Sequence, residues 1–273
     1  MIEINDLTFR YSGGLQPVFS DFSMQLPEGR IYGLLGKNGT GKSTLLYLLA
    51  GLHRPKGGSV KVDGMEAFLR QPEMLGEIFL VPEEFDLPSL PLADYLNINK
   101  PFYPRFSEDV LNRCLEAFEL PRDLHLGRLS MGQKKKVFMS VALAAGTKFL
   151  LMDEPTNGMD IPSKSQFRKV VAEGMSEGRT IIISTHQVHD VEQLLDHILI
   201  LSVRQLLLNM SISDITSRFC FEVRQPQQMD QTVIYAEPSI MGNFVVSHRT
   251  EGRPETLVSL ELLFNAVNQG LIK

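Results

Sequence analysis

The sequence predicts an α/β protein in which a parallel sheet carries an N-terminal antiparallel β layer, a helical insert and a small C-terminal β/α appendage. Three short apolar runs without alternation, "EIFLV", "KFLLMDE" and "TIIIS", are typical of strands buried on both faces of a parallel sheet. Two alternating runs near the N-terminus, one with Ile2 and Ile4 and one with Phe22 and Met24, are typical of antiparallel strands covered on one face. Helical stretches lie between the apolar runs, so the predicted core is α/β.

The composition is that of an ordinary globular protein, and it excludes several classes. The 273 residues are 43% hydrophobic and 22% charged, and the net charge of −5 provides no basic field, so we expect no nucleic-acid partner. The two cysteines, Cys114 and Cys220, form no metal-type pair and indicate a reducing compartment. The N-terminal segment is too polar for a signal peptide, and no window of about 18 apolar residues is long enough to cross a bilayer. We therefore expect a cytosolic protein that does not span a membrane by itself.

A helical insert interrupts the alternation of strands and helices at about residues 83–138. Ser107 is placed to cap a helix with an acidic first turn, and Pro121 follows its end. The aromatic segment "FYPRF" lies just upstream of this helix. We expect the insert to form a helical subdomain within a larger unit, residues 1–205.

The chain changes character again after about residue 205. The segments "RFCFEVRQ", "TVIYAEP" and "NFVVSHR" predict short strands, and "TLVSLELLFNAVNQG" predicts a closing helix. We expect residues 206–273 to form a small appendage. The sequence leaves its role open between a dimer contact and a regulatory site.

The segment "GKNGTGKST" fits the phosphate-loop pattern G-x-x-x-x-G-K-[ST] between an apolar strand and an apolar helix. In such a loop the backbone N–H groups point at phosphate oxygens, Lys42 reaches the β- and γ-phosphates, and the Ser43 hydroxyl ligates Mg²⁺. The alternative is a chance glycine-rich turn. The motif favours the parallel sheet of a P-loop NTPase. The loop residues that we expect to bind the nucleotide are Gly36, Lys37, Asn38, Gly39, Thr40, Gly41, Lys42, Ser43 and Thr44.

Two further strands end in polar residues. "FLLMDEP" ends in Asp153 and Glu154, and "IIISTHQ" ends at His186. Ligands of parallel sheets gather at the carboxyl ends of the strands, so we expect Asp153 to hold Mg²⁺, usually through water, and Glu154 to act as the general base. His186 is placed to donate to the γ-phosphate. The alternatives are a solvated strand end for the carboxylates and an ordinary satisfied polar residue for His186.

The segment "LSMGQKKKV" predicts a second helix start that can bind an anion. Ser130 begins a helix whose first N–H groups are free and whose N-terminus carries partial positive charge. The chain contains only one phosphate loop, so a head-to-tail pair, in which this turn caps the ATP of the other protomer, would use both ends. The alternative is a capped surface helix with a lysine-rich face.

Together, Tyr11 and the ordered segments "GKNGTGKST", "LSMGQ", "LLMDEP", "NGMD" and "STHQ" resemble the ATP-binding subunit of ATP-binding cassette (ABC) transporters over roughly residues 1–205. The resemblance implies an ABC ATPase domain in which Tyr11 stacks on adenine. It also implies that Asp160 lies in a loop that crosses the dimer interface, and that the helical insert receives a cytoplasmic helix of the membrane partner. The residues that it assigns to contact with the partner's ATP are Ser130, Gly132 and Gln133.

One position departs from the family's pattern. Glu83, in "LVPEEF", stands where the family usually places a glutamine that senses Mg²⁺ and the γ-phosphate. A carboxylate is also a hard oxygen ligand, so we expect Glu83 at the metal. A similar Pro-Glu occurs in subunits of the ABC-2 exporter type. The "KKKV" segment and the short tail also resemble the corresponding parts of those subunits.

The resemblance therefore implies an ATP-hydrolysing subunit that binds ATP and Mg²⁺ and powers export through a separate transmembrane permease subunit. It implies a homodimer, or a heterodimer with a second ABC subunit, at the cytoplasmic face of the cell membrane. The alternative is a soluble ABC-type ATPase with a regulatory role.

Other ATPase classes fit less well. Chromosome and repair ATPases need long coiled coils between the two ATP motifs, whereas here about ninety residues without sustained heptads separate them. Translation-type ABC proteins carry two cassettes in one chain. GTPases need an N-K-x-D motif, which "NKPF" does not supply.

Overall fold

The computed structural model describes residues 1–250 and 252–273. The strands are β1 (Ile2–Phe9), β2 (Phe19–Leu26), β3 (Ile31–Gly36), β4 (Gly57–Val62), β5 (Met65–Glu66), β6 (Ile78–Val81), β7 (Phe149–Asp153), β8 (Thr180–Thr185), β9 (His197–Ser202), β10 (Gln205–Ser211), β11 (Phe219–Arg224), β12 (Val233–Ser239) and β13 (Gly242–His248). The helices are α1 (Lys42–Leu49), α2 (Pro72–Leu75), α3 (Leu92–Asn99), α4 (Glu108–Ala117), α5 (Met131–Ala144), α6 (Ile161–Glu173), α7 (Ile212–Arg218) and α8 (Leu260–Asn268).

The main sheet has six strands in the order β10-β9-β3-β8-β7-β6. All neighbouring pairs are parallel except β10 and β9, which are antiparallel. In β7, Phe149 and Leu151 pack with α1 on one face, and Leu150 and Met152 pack in the core on the other face, as the two-residue period of a strand requires. The predicted doubly covered parallel sheet is confirmed. Because β3, β7 and β8 end at the same edge, the polar residues that follow them come close together.

The predicted N-terminal antiparallel layer is also confirmed. Its strand order is β2-β1-β4-β5, and Ile2 lies opposite Leu26 on one side and Val62 on the other. The buried side chains of this sheet share a core with α1 and with one face of the main sheet. Helix α1, which follows the phosphate loop, is therefore held between two sheets.

The predicted helical insert contains α3, α4 and the start of α5. Ser107 caps α4, because its Oγ accepts a hydrogen bond from the N–H of Val110 at 3.3 Å. The buried face of α4 includes Leu111, Cys114 and Leu115. Helix α4 packs against α5, which connects the insert to the main sheet.

The C-terminal segment forms a three-stranded antiparallel sheet, β11-β13-β12, followed by α8, as the sequence predicts. Strand β10 spans the expected boundary between residues 205 and 206, and it pairs with β9 and extends the main sheet. Helix α8 buries Leu263 and Val267 in a core that also contains residues of the main sheet. The division of the chain at residue 205 therefore stays a proposal.

The two cysteines are both free and buried, and burial raises the pKa of Cys114 to about 11. In residues 1–250 and 252–273, no helix has the length and apolar character needed to cross a bilayer.

A buried arginine joins the far ends of α5 and α6. The guanidinium group of Arg179, which precedes β8, donates hydrogen bonds to the carbonyl oxygens of Ala142 (3.2 Å), Leu143 (3.2 Å) and Gly174 (2.8 Å). These carbonyls lie at the carboxyl ends of α5 and α6, where helix dipoles favour a cation. Burial lowers the pKa of Arg179 to about 10, so the side chain remains charged at neutral pH.

We expect Arg179→Ala to lower the free energy of unfolding by about 2–4 kcal/mol, because it leaves three helix-end carbonyls without their charged donor. Urea unfolding followed by circular dichroism measures this change. The matched control is Arg113→Ala on the exposed face of α4, which we expect to change stability by less than about 0.5 kcal/mol. Equal effects for the two variants would contradict this account of Arg179.

Candidate nucleotide-binding site

The phosphate loop, residues 36–44, connects β3 to α1 and lines a cleft of about 370 Å³. Gly41 has a φ of 101°, and a Cβ at this position would lie 2.8 Å from Cγ1 of Val18. A Cβ on Gly36 would lie 2.8 Å from the carbonyl oxygen of Leu201. Glycine is therefore required at both positions, and it lets the loop pass close to its neighbours while turning into α1.

Lys42 is held across the loop by its own backbone. Its Nζ donates to the carbonyl oxygen of Gly36 at 2.8 Å and to that of Lys37 at 3.4 Å, and it lies 3.7 Å from Oε1 of Glu154. The side chain of Lys42 is buried. The loop therefore holds a fixed positive charge beside the first turn of α1, where N–H groups are also free to bind phosphate.

Tyr11 lies at the wall of the same cleft. Its hydroxyl is 2.9 Å from Oγ1 of Thr44, and its ring packs edge-on against Phe9 and His53. The side chain remains 43% exposed. Tyr11 thus offers an aromatic surface next to the phosphate loop, and its contact with adenine stays a prediction.

Asp153 ends β7 in a buried position. In the sheet it lies opposite Ser184 of β8, and the Ser184 hydroxyl donates to Oδ1 of Asp153. Burial raises the pKa of Asp153, whereas the hydroxyls of Ser184 and Ser43 act in the opposite direction. A buried carboxylate without a neighbouring cation is costly, so this position fits a carboxylate that serves a metal ion.

Glu154 lies next along the chain, in the left-handed backbone region with a φ of 45°. Its backbone N–H donates to the carbonyl oxygen of Ser184 at 3.0 Å, which fixes the turn that follows β7. This conformation is unfavourable for a residue other than glycine and is common at functional sites. The turn brings the Glu154 carboxylate into the cleft beside Lys42.

His186 follows β8 and contacts the Glu154 carboxylate twice. Its Nδ1 lies 2.9 Å from Oε1, and its backbone N–H donates to Oε2 at 3.3 Å. We call Lys42, Glu154 and His186 the candidate catalytic cluster. The structure brings these three predicted residues together from the segments that follow three neighbouring strands, β3, β7 and β8.

Glu83 follows β6 and also lines the cleft. Its Oε1 accepts a hydrogen bond from Nδ2 of Asn157 at 2.8 Å. Together with Asp153 and Ser43 it forms a set of oxygen donors of the type that Mg²⁺ uses alongside waters and phosphate oxygens. The residues present therefore fit the predicted metal, whose ligation stays a prediction.

The remaining predicted residues lie elsewhere. Ser130 caps α5 in a reciprocal capping box with Gln133: the N–H of Gln133 donates to Oγ of Ser130 at 3.3 Å, and the N–H of Ser130 donates to Oε1 of Gln133 at 3.0 Å. Asp160 caps α6 by accepting from the N–H of Ser163 at 2.9 Å, which lowers the pKa of Asp160. Within the part of the chain that the structure describes, Ser130, Gly132, Gln133 and Asp160 do not line the phosphate-loop cleft.

Sequence reasoning missed three residues of this region. Ser184, Asn157 and Lys135 all lie inside segments that the sequence singles out, "IIISTHQ", "NGMD" and "LSMGQKKKV". The Nζ of Lys135 donates to the carbonyl oxygen of Asn157 at 2.7 Å, and burial lowers the pKa of Lys135. No local pattern distinguishes these side chains, because their contacts are made between loops that are distant in sequence.

Comparisons with known proteins identify the family of the chain. Residues 19–157, about half of the chain, match the family described as ABC transporter. The putative ABC transporter ATP-binding protein tll2439 of Thermosynechococcus vestitus is 33% identical over 78% of each chain. The bacitracin transport ATP-binding protein BcrA of Bacillus licheniformis is 32% identical over 76% of this chain and 68% of its own.

A solved structure of an ATP-binding subunit of an ABC transporter superposes with a TM-score of 0.70 at 26% identity, over 79% of this chain and 91% of that one. The α/β fold of the chain agrees with these matches. The chain belongs to the ABC transporter family and is an ATP-binding subunit of that family.

Proposed function

We propose that this subunit hydrolyses ATP and that two copies close around the nucleotide to power export through a separate membrane-spanning permease. The observation that carries the proposal is the candidate catalytic cluster, in which a buried carboxylate lies 3.7 Å from Lys42 and 2.9 Å from His186. Each group comes from a different strand end, so the arrangement depends on the fold as a whole.

In the proposed reaction, Glu154 accepts a proton from water as the water oxygen attacks the γ-phosphorus. The bond between that phosphorus and the β–γ bridging oxygen breaks, which yields ADP and phosphate. Nδ1–H of His186 donates to the ionised Glu154 carboxylate, so Nε2 donates to the γ-phosphate when the imidazole is protonated at both nitrogens. Lys42 stabilises the negative charge that develops on the phosphate oxygens.

Ser43, Asp153 and Glu83 are the residues that we propose to hold Mg²⁺. When bound, the ion would offset the negative charge of the phosphate groups. Asp153 is positioned for this by its hydrogen bond from Ser184, and Glu83 by its hydrogen bond from Asn157. Both carboxylates retain an oxygen for water or metal.

Pairing of two copies is supported by the exposed start of α5. The capping box satisfies the N–H groups of Ser130 and Gln133, while those of Met131 and Gly132 have no acceptor within residues 1–250 and 252–273. A Cβ on Gly132 would meet nothing within 4 Å, so the surface there is open. Such a helix start binds anions, and the γ-phosphate held by a second copy is a suitable one. The same chain also contains a phosphate loop, so a symmetric pair would have two composite sites.

Export is supported by two observations. Glu83 follows a proline, and a similar Pro-Glu occurs in exporter subunits of the ABC-2 type. One relative is named as a bacitracin transport ATP-binding protein. We propose that the helical insert, α3 to the start of α5, contacts a permease and so places the subunit at the cytoplasmic face of the cell membrane.

We also propose that residues 1–205 form the ATPase unit and residues 206–273 a C-terminal unit that supports it. Phe264 of α8 lines a cavity of about 150 Å³ together with His186 and Lys37. On the same helix, Oε2 of Glu261 lies 3.0 Å from Nε2 of His189. The C-terminal unit therefore contacts the segment that follows His186.

We expect Asp153→Asn to stabilise the nucleotide-free protein at pH 7 by about 1 kcal/mol, which raises Tm by about 2–4 °C. Burial raises the folded-state pKa of Asp153 above its unfolded value, so the ionised side chain opposes folding at neutral pH. This cost decreases as the pH falls through the folded pKa, so the gain should shrink at pH 4. The same substitution should remove the Mg²⁺-dependent rise in Tm with ATP. Differential scanning calorimetry measures both effects, and a lower Tm for the variant at pH 7 would contradict them.

We expect Glu154→Gln to bind ATP but to hydrolyse it at least about a hundredfold more slowly, because the amide cannot accept the proton. ATP-bound pairs should then persist in light scattering. Glu177→Gln, in the exposed turn before β8, is the control and should keep the wild-type rate of phosphate release. A wild-type rate in Glu154→Gln would exclude Glu154 as the base.

The transporter assignment is tested by purifying the tagged protein from native membranes in mild detergent. A multi-spanning protein recovered at a fixed ratio is the expected result. Recovery of the subunit alone from the soluble fraction would favour a soluble regulatory ATPase.

A further inference from the structure

Three loops meet at a second cavity, of about 550 Å³, next to the phosphate-loop cleft. They follow β6, begin α5 and follow β7, and they contribute Glu83, Lys135 and Asn157 to its lining. Glu83 also lines the phosphate-loop cleft, so one side chain belongs to both cavities. The other residues of the cleft do not line the second cavity in the described chain. Glu83 is therefore the side chain through which the two regions meet.

Two hydrogen bonds connect Glu83 to α5. Nδ2 of Asn157 donates to Oε1 of Glu83 at 2.8 Å, and Nζ of Lys135 donates to the carbonyl oxygen of Asn157 at 2.7 Å. Asn157 thus uses its side chain toward one partner and its backbone toward the other. All three residues are partly buried, which strengthens such bonds relative to exposed ones. We call this chain of contacts the Glu83–Asn157–Lys135 bridge.

The carboxylate of Glu83 fixes the polarity of this bridge, that is, which residue donates and which accepts the hydrogen bond between Asn157 and Glu83. An ionised glutamate only accepts hydrogen bonds, so Asn157 must present its NH₂ group to it. A glutamine can either donate or accept. Lys135 of α5 also lines the same cavity as Glu83 and Glu84, so it contributes a positive charge beside these two carboxylates. The bridge therefore couples a charged group in the cleft to the start of α5.

We propose that Asn157 and Lys135 are positioning residues that transmit to α5 a change at Glu83 when nucleotide binds in the cleft. Nucleotide binding then orders the start of α5, which must bind the second copy. This inference rests on the proposed function in assigning the cleft to ATP and the start of α5 to pairing. It adds two residues and a polarity to that function. Neither residue touches the reacting atoms.

Exchanging the donor and the acceptor of the hydrogen bond between residues 83 and 157 tests the bridge. Asn157→Asp places two carboxylates together and should break the bridge. Glu83→Gln alone keeps it, because the glutamine carbonyl still accepts from Asn157. The double variant Glu83→Gln/Asn157→Asp restores the bond with the donor on the other residue, so it should recover what Asn157→Asp loses.

The first readout is hydrogen–deuterium exchange of residues 129–137 with and without ATP and Mg²⁺, at protein concentrations where the chain is monomeric. In the parent, saturating ATP should slow exchange about five- to tenfold. In Asn157→Asp the effect should fall below about twofold. In the double variant it should return to within about twofold of the effect in Glu83→Gln alone, which is the reference for any change at the metal. The proposal would be overturned if ATP did not slow exchange in the parent. It would also be overturned if ATP slowed exchange in the double variant no more than in Asn157→Asp.

The second readout is ATP-dependent pairing on a Glu154→Gln background, with ATP affinity measured separately by a fluorescent analogue. Lys135→Gln should weaken pairing about tenfold while changing ATP affinity by less than about twofold. Its control is Lys134→Gln, the neighbouring lysine, which should pair like the parent. Equal losses in Lys135→Gln and Lys134→Gln would overturn the role of Lys135. Failure of the background variant itself to pair would refute the proposed dimer, while the exchange experiment still decides on the bridge.

Discussion

The structure depends on the buried Glu154 carboxylate and the two groups that hold it. A carboxylate at 6% exposure is costly unless charged or hydrogen-bonding partners surround it, and here Lys42 and His186 supply them. Each partner reaches Glu154 only because β3, β7 and β8 are adjacent, parallel and in register. The parallel sheet, the glycine-rich turn into α1 and the left-handed turn after β7 are therefore the conditions for this one contact. Hydrophobic burial forms the sheet, and the sheet then assembles the charges.

The two halves of the proposed reaction lie on different parts of the chain. The phosphate-loop cleft is built on the main sheet between β3 and α1, whereas the exposed start of α5 belongs to the helical insert. A single copy brings the first group of residues together and leaves the second group facing outward. In the proposed pair the nucleotide links the two copies, and the two loops that carry Glu83 and Asn157, one after β6 and one after β7, lie between the two groups. The C-terminal helix α8 adds a third contact, on the segment that follows His186.

Much of this could be predicted from the sequence, because apolar runs without alternation define buried parallel strands and place Asp153, Glu154 and His186 at one edge. The cap at Ser130 could also be predicted, since it depends only on local spacing. The pairing of β10 with the main sheet could not be predicted, because its half-buried pattern suits an edge strand of either sheet. Contacts such as the one between Asn157 and Glu83 join loops about seventy residues apart and follow only from the assembled fold.

In the proposed head-to-tail pair one copy completes the ATP site of the other, and mixing two inactive variants tests this directly. Lys42→Ala removes the phosphate-loop charge. Gly132→Asp adds a negative charge at the start of α5, where a Cβ would have no atom of the described residues within 4 Å. Each variant alone should hydrolyse almost no ATP. In a head-to-tail mixed pair one site regains an intact loop and an intact helix start, so an equal mixture should recover about a quarter of the wild-type rate if pairs form at random and sites act independently. A mixture as inactive as either variant alone would contradict the shared site.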